Sequence, residues 1–214
     1  MIRVVLADDH RMVRTGLKEI LADTGDIEVV GEATNGQEVM ARVREVPFDL
    51  LVLDMSMPGR SGIELIKLVR AEKPRLKVLI LSMHEESQYA VRAIRAGASG
   101  YLTKESASRQ LVEAIRKVAA GGAFISAEVA QQLALGAMPD VKGPPHTALS
   151  DREFQIFRMI ADGLSVSDIA ARLNLSVKTV STHKANILQK MNMGSQAELI
   201  RYAITHRLVD DPGP

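Results

Sequence analysis

At 214 residues, with 46% hydrophobic and 25% charged side chains, the chain fits one large globular domain or two small ones. Its 27 basic and 26 acidic residues leave a formal net charge of +1, so any nucleic-acid site must be a local patch. Cysteine is absent, which excludes disulfides, thiolate metal sites and cysteine nucleophiles and fits a cytoplasmic protein. Asp8 and Asp9 come too early for a secretory signal, and no apolar run reaches the roughly 18 residues of a membrane helix. Aromatic content of 3% without Trp argues against stacking platforms for single-stranded nucleic acid.

In chain order, Ile2 to Ala7 is a short β-branched run that predicts a strand, and the spacing of Met12, Val13, Leu17, Ile20 and Leu21 predicts a helix over Arg11 to Ala22. Ile27 to Ala33 reads as a strand and Glu38 to Val46 as a helix. Leu50 to Leu53, ahead of Asp54, is a fully apolar run between Pro47 and the turn Met57-Pro58-Gly59, the pattern of a buried parallel strand. Further helices are expected at Ile63 to Glu72, Ser87 to Ala96 and from about Ser108 to Ala120, with strands at Lys77 to Ser82 and Tyr101 to Thr103. Gly97 to Gly100 forms the turn into the last strand, and Gly121-Gly122 stops the last helix. Strands alternating with helices describe a doubly wound α/β domain with a five-stranded parallel sheet over residues 1–121.

Residues 122–148 read as a linker containing a short helix at Ala127 to Leu135 and a Pro/Gly-rich stretch from Gly136 to His146. Residues 149–214 show only helical patterns, four short helices in a second, all-α domain. Ser150 with Glu153, Ser165 with Asp168 and Ser195 with Glu198 have capping-box spacing, Ser176 suits a further N-cap, and Gly163 and Gly194 sit where helices should stop.

If the first strand is central, its exit lies beside that of the third, and Asp8, Asp9 and Asp54 share one pocket. Carboxylates that close repel, which raises a pKa or recruits a cation, and oxygen ligands favour a hard ion such as Mg²⁺. The fourth and fifth strands exit at Ser82 and Lys104. Acids, hydroxyl and ammonium together suit a phosphoryl group, with a carboxylate as nucleophile. Each feature alone also has a structural reading: Asp54 opening a turn with Ser56, Pro58 and Gly59, and Lys104 as a surface charge.

From Ile2 to about Gly121 the chain resembles the receiver domain of two-component response regulators, a flavodoxin-like fold. The matching residues are Asp8-Asp9, Asp54 after Leu50 to Leu53, Met57-Pro58-Gly59 with Gly62, Ser82, Gly97-Ala98 and Tyr101-Leu102-Thr103-Lys104. The resemblance implies that Asp54 accepts phosphate from a sensor histidine kinase as an acyl phosphate. It further implies Mg²⁺ held by Asp9, Asp54 and the Ser56 carbonyl with Asp8 assisting, Lys104 paired to the phosphoryl group, and Ser82 and Tyr101 reorienting as the switch. Many receivers have Pro after the Lys, where this chain has Glu105. A haloacid-dehalogenase-type phosphatase would need an acid two positions after its Asp nucleophile, where Ser56 stands, so phosphate release would be slow. Gly31-x-x-x-x-Gly36 continues with Gln37-Glu38 and lacks the Lys-Ser/Thr of a nucleotide-binding loop.

In the second domain, Ile169 to Leu173, Asn174-Leu175-Ser176 and Val177 to Met191 read as helix, turn, helix. Val180, Ile187, Leu188 and Met191 form a packing stripe, while Lys178, Ser181, Thr182, Ala185 and Gln189 make an opposite, small and polar face able to approach base edges. Arg172, Lys178, Lys184 and Lys190 make the segment locally basic, which a small bundle with a solvated lysine face would also show. The run Leu149-Ser150-Asp151-Arg152-Glu153, Ile160 to Ser165, Ile169-Ala170 and Leu175 to His183 resembles the LuxR-type DNA-binding domain of the NarL/FixJ response regulators, over Leu149 to about Leu208. That resemblance implies a recognition helix at Val177 to Met191 and a supporting dimerisation helix at Ala197 to His206. Lys178, Thr179, His183, Lys184 and Lys190 are the candidate phosphate contacts, and Ser181, Thr182 and Ala185 the candidate base contacts. Many relatives carry Lys at the place of Ser181, so base preference does not transfer.

The expectation is a cytoplasmic, non-enzymatic transcriptional response regulator with partners of three kinds: a sensor histidine kinase, double-stranded DNA, and a second copy of itself on phosphorylation. A constitutive DNA-binding protein whose first domain only dimerises is the rival reading, and a metal-dependent phosphatase the third.

Overall fold

The third strand sets the frame of the computed structural model: all five residues of β3, Leu50–Asp54, are buried. The structure describes residues 1–57, 62–83, 87–135, 144–206 and 208–209. The Pro58-Gly59 turn and the linker stretch Gly136 to Gly143 lie outside them. A strand buried on both faces needs helices on both, and the chain supplies them by alternation: β1 (Ile2–Ala7), α1 (Arg11–Ala22), β2 (Ile27–Ala33), α2 (Gly36–Glu45), β3, α3 (Gly62–Glu72), β4 (Lys77–Ser82), α4 (Ser87–Arg95), β5 (Gly100–Thr103) and α5 (Lys104–Ala119).

The parallel sheet has the order β2-β1-β3-β4-β5, so the first strand does lie beside the third. Alternation along the strands divides the core in two. Val5, Ala7, Leu51, Leu53, Val78 and Ile80 pack with Val39, Val43, Leu65, Ile66, Val69 and Ala90 of α2, α3 and α4. Val4, Leu6, Leu50, Val52, Leu79 and Leu81 pack with Leu17, Leu21, Leu111, Ala114, Ile115 and Val118 of α1 and α5. Truncating Leu53, which is fully buried, to Ala would cost about 2–5 kcal/mol.

Registry fixes where the polar residues emerge. Ala7 pairs with Leu53, Asp54 with Leu81 and Ser82 with Thr103, so Asp8, Asp54, Ser82 and Lys104 leave the sheet at one edge.

Several helices begin earlier than their apolar patterns. Asn35 caps α2 by accepting from the Gln37 and Glu38 amides, which starts it at Gly36 instead of Glu38. Thr103 caps α5 by accepting from the Ser106 amide, so that helix starts at Lys104, ahead of Ser108, and includes Glu105 in its first turn. Gly121 adopts a φ of 92°, a conformation suited to glycine, just after α5 ends. The expected short helix is present as α6, Ala127–Leu135.

The chain folds as two units, Met1–Leu133 and Ala134–Pro214. In the second, a 3₁₀ turn at Pro145–Ala148 precedes α7 (Asp151–Ala161), α8 (Val166–Leu173), α9 (Val177–Met191) and α10 (Gln196–Thr205). His146, expected in a linker, is buried in that turn: its Nδ1 lies 2.7 Å from the Tyr202 hydroxyl. Capping boxes are complete at Ser150/Glu153 and Ser165/Asp168. At Ser195 only the serine half forms, because Glu198 accepts from the Gly194 amide instead. The stop after α9 is Asn192, in the left-handed conformation with φ 54°, two residues before Gly194. Phe154, Phe157, Ile160, Ile169, Val180, Ile187, Met191 and Leu199 are buried in this unit. Among the described residues no helix is long and apolar enough to cross a membrane.

Candidate functional site

Asp54 closes β3 and Asp8 follows β1, and both are 1% exposed. The Lys104 ammonium, itself largely buried, lies 2.6 Å from Asp8 Oδ2 and 3.1 Å from Asp54 Oδ2. Among the described residues, those two oxygens have no hydrogen-bond partner other than the Lys104 ammonium. Asp54 Oδ1 accepts from the Ser56 amide at 3.2 Å. Two buried carboxylates thus share one ammonium.

The protonation tendencies follow from that imbalance. Burial pushes the Asp54 carboxyl above its ordinary value; Lys104 opposes the shift and Asp8 adds to it. Burial alone would lower Lys104, yet the hydrogen bond and charge of Asp8 and the charge of Asp54 outweigh it and raise the ammonium's pKa. Lys104 therefore stays charged between two carboxyl groups. The clustered oxygen donors of Asp8, Asp9 and Asp54 suit a divalent cation.

Asp9 is more exposed than Asp8, and His10 beside it places Nδ1 3.2 Å from Asp8 Oδ1 and 3.0 Å from Asp9 Oδ1. One potential ligand atom from each of Asp8, Asp9, His10 and Asp54 lies within 4.8 Å of the others. The loop carrying them is tied down by Arg14, whose Nη1 donates to the Asp8 carbonyl at 2.7 Å while its Nε donates to Glu32 at 2.8 Å. Sequence reasoning assigns neither His10 nor Arg14; adjacency to Asp8-Asp9 is the available signal for the first, and nothing local marks the second.

Ser82 is buried at the end of β4 and hydrogen-bonds the Tyr101 phenol. Burial pushes that phenol up to about 12, with Ser82 lowering and Asp54 raising it. Tyr101 is inward-facing and 9% exposed. Acid, cation, hydroxyl and phenol accordingly line one sheet edge, and Ser56 stands two residues past Asp54.

The second unit presents a different surface. α8 ends at Asn174 in the left-handed conformation, and Ser176 caps α9 by accepting from the Thr179 amide. Val180, Ile187 and Met191 are buried and Leu188 is half-buried, whereas Lys178, Thr179, Ser181, Thr182, Ala185 and Gln189 are exposed. Exposed Val177 adds an apolar residue to the first turn of α9, outside the set expected from the sequence. The Thr182 hydroxyl donates to the Lys178 carbonyl at 3.0 Å, leaving its oxygen as an acceptor. His183 and Lys184 are half-buried, and the Lys184 ammonium donates to Gln196 at 2.6 Å. Lys190 is engaged inside the unit: its ammonium donates to buried Glu153 at 2.7 Å, the same oxygen that accepts from the Ser150 amide at 2.8 Å.

Residues 4–116 match the family model "Response regulator receiver domain" and residues 147–203 match "Bacterial regulatory proteins, luxR family". The chain belongs to the two-component response regulators. This response regulator is 41% identical to the response regulator GacA of Pseudomonas viridiflava over 211 residues, covering 98% of this chain and 99% of the relative. It is 39% identical to the response regulator UvrY of Escherichia coli K12 over 209 residues, covering 97% and 96%. Among solved structures it is similar to the RcsB response regulator of Salmonella typhimurium, with 26% identity, a TM-score of 0.74 and coverage of 95% and 97%. A second RcsB structure, from Salmonella enterica serovar Typhimurium bound to a promoter with a phosphomimetic, gives 26% identity, a TM-score of 0.71 and coverage of 95% and 98%. A receiver joined to a luxR-type output unit is a signalling architecture, not that of an enzyme with turnover.

Proposed function

We propose that this response regulator is a cytoplasmic transcription factor whose Asp54 takes a phosphoryl group from a sensor histidine kinase, and that phosphorylation promotes dimerisation and operator binding. The carrying observation is the buried Asp8, Asp54 and Lys104 cluster, with Lys104 Nζ 2.6 and 3.1 Å from the two carboxylates. An Asp54 carboxylate oxygen attacks phosphorus, the P–N bond to the kinase histidine breaks, and the imidazole leaves with that bond's electron pair. Mg²⁺, held by Asp9, Asp54 and the Ser56 carbonyl with Asp8 assisting, would neutralise the phosphoryl oxygens. Lys104, already charged, releases its hold on Asp54 and pairs with the new phosphate. Ser82 donates to a phosphoryl oxygen and exchanges its bond with Tyr101, which couples the event to the edge of the sheet.

In the output unit, α9 enters the major groove. Lys178, Thr179, His183 and Lys184 contact phosphates; Ser181, Thr182 and Ala185 face bases, and Val177 offers apolar contact to a thymine methyl. Lys190, paired with Glu153 but 43% exposed, orients the helix and remains a candidate phosphate contact. The promoter-bound, phosphomimetic RcsB relative supports this reading.

Acetyl phosphate with Mg²⁺ should add one phosphoryl group to wild type, mapped to Asp54 by peptide mass spectrometry, and tighten operator binding. Asp54→Ala should show neither. Operator affinity that is equal for both proteins with and without the donor would overturn the phosphorylation-dependent reading and favour a constitutive DNA-binding protein.

A further inference from the structure

We propose that His10 is a specificity-determining ligand of the acid pocket, giving the cation site one nitrogen donor and shifting its preference from Mg²⁺ toward first-row transition ions such as Mn²⁺, Co²⁺ and Ni²⁺. The inference rests on the reading of that pocket as a divalent cation site.

The His10 backbone amide donates to Asp8 Oδ1 at 2.8 Å, which anchors the residue at the mouth of the pocket. Its Nδ1 edge faces the acids, 3.0 Å from Asp9 Oδ1 and 3.2 Å from Asp8 Oδ1. These separations have a meaning in coordination geometry. Two ligands bound at about 2.1 Å and at right angles around an octahedral ion are about 3.0 Å apart, so Nδ1 and the carboxylate oxygens already stand at the spacing of neighbouring ligands. Asp54 contributes a further oxygen within the 4.8 Å cluster.

The ring is also free to change its donor atom. With the proton on Nδ1 it donates to the two carboxylates; with the proton on Nε2 it presents a lone pair at the same place. The side chain is 64% exposed, so water can accept from Nε2–H without a desolvation cost. An oxygen-only donor set suits Mg²⁺, while an imidazole raises affinity along the series Mn²⁺, Co²⁺, Ni²⁺. Asp8, Asp9 and Asp54 would hold either class of ion, and His10 discriminates between them.

The experiment uses the full-length protein labelled with [¹⁵N]histidine and loaded with Mn²⁺, read by pulsed electron paramagnetic resonance, together with calorimetric titration by Mg²⁺ and Ni²⁺. Wild type should show a histidine-nitrogen coupling to bound Mn²⁺. His10→Gln should lose the nitrogen coupling, weaken Mn²⁺ binding severalfold and Ni²⁺ binding tenfold or more, and weaken Mg²⁺ binding least of the three. Bound Mn²⁺ with no nitrogen coupling in wild type, or a coupling that survives in His10→Gln, overturns the role of His10 and leaves the cation site standing. Absence of Mn²⁺ and Mg²⁺ binding in wild type, or binding undiminished in Asp9→Asn, overturns the cation-site reading and this inference with it.

Discussion

Lys190→Met tests how α9 is held against α7. Glu153 has 6% of its side chain exposed and Lys190 43%, with 2.7 Å between the ammonium and the carboxylate. Removing one partner of a fully buried pair costs about 3–5 kcal/mol, because the other charge is stranded. Here water reaches the lysine side and the Ser150 amide still donates to Glu153, so the expected loss is about 1–2 kcal/mol. For a unit of this size that is a fall of about 5–15 °C in Tm. Scanning calorimetry of the full chain measures it, and hydrogen exchange in α7 and α9 assigns the transition. The pH dependence is a second readout. Burial pushes Glu153 up, but the hydrogen bonds from Lys190 and Ser150 prevail and hold it below its ordinary 4.5. A carboxylate lowered on folding stabilises above its unfolded pKa and loses that contribution as pH falls through the folded value. The gap between wild type and variant should therefore be constant near pH 7 and close below 4.5 as Glu153 protonates. Equal melting near pH 7, or a gap that persists in strong acid, would refute the assignment.

A Cβ on Gly62 would lie 2.6 Å from Met55 Sδ and 3.0 Å from its Cα, so Gly62→Ala should lose about 1–3 kcal/mol in chemical denaturation. Lys104→Gln should raise the Asp54 carboxyl further, seen by carboxyl carbon NMR titration, and slow acetyl phosphate uptake at least about tenfold, the loss of one electrostatic contact in the transition state. Lys178→Ala should weaken binding to every duplex and reduce the salt slope by about 1, whereas Thr182→Ala should alter base preference at constant slope. Exchanged behaviour of those two variants would reverse their roles.

The sheet is legible in the sequence because its strands are apolar runs interrupted by Gly and Pro, and Asp8, Asp54, Ser82 and Lys104 emerge together once β1 lies between β2 and β3. Helix starts are less legible. Apolar spacing draws their limits late, while the chain sets them with single polar caps, Asn35 and Thr103. The output helices are placed more closely because Ser150, Ser165 and Ser176 mark their starts. The Lys190 to Glu153 bond spans 37 positions, and no local pattern reveals that this lysine pairs with a buried acid. Arg14 is hidden for the same reason: its partners, the Asp8 carbonyl and Glu32, come together only when α1 crosses β2.

The early start of α5 carries a consequence for the field inside the pocket. Lys104 is the first residue of that helix, so its ammonium rises from the end where aligned peptide dipoles concentrate roughly half a positive charge. This is an adverse place for a lysine on its own, made favourable by Asp8 and Asp54. The acids therefore face a cation and a helix pole acting together, and an incoming phosphoryl group would meet both. Unwinding a single turn at Thr103 would withdraw the two sources at once. The folding of that turn and the charge state of the pocket are one coupled equilibrium, which Thr103→Val, removing the cap, would shift without touching an acid.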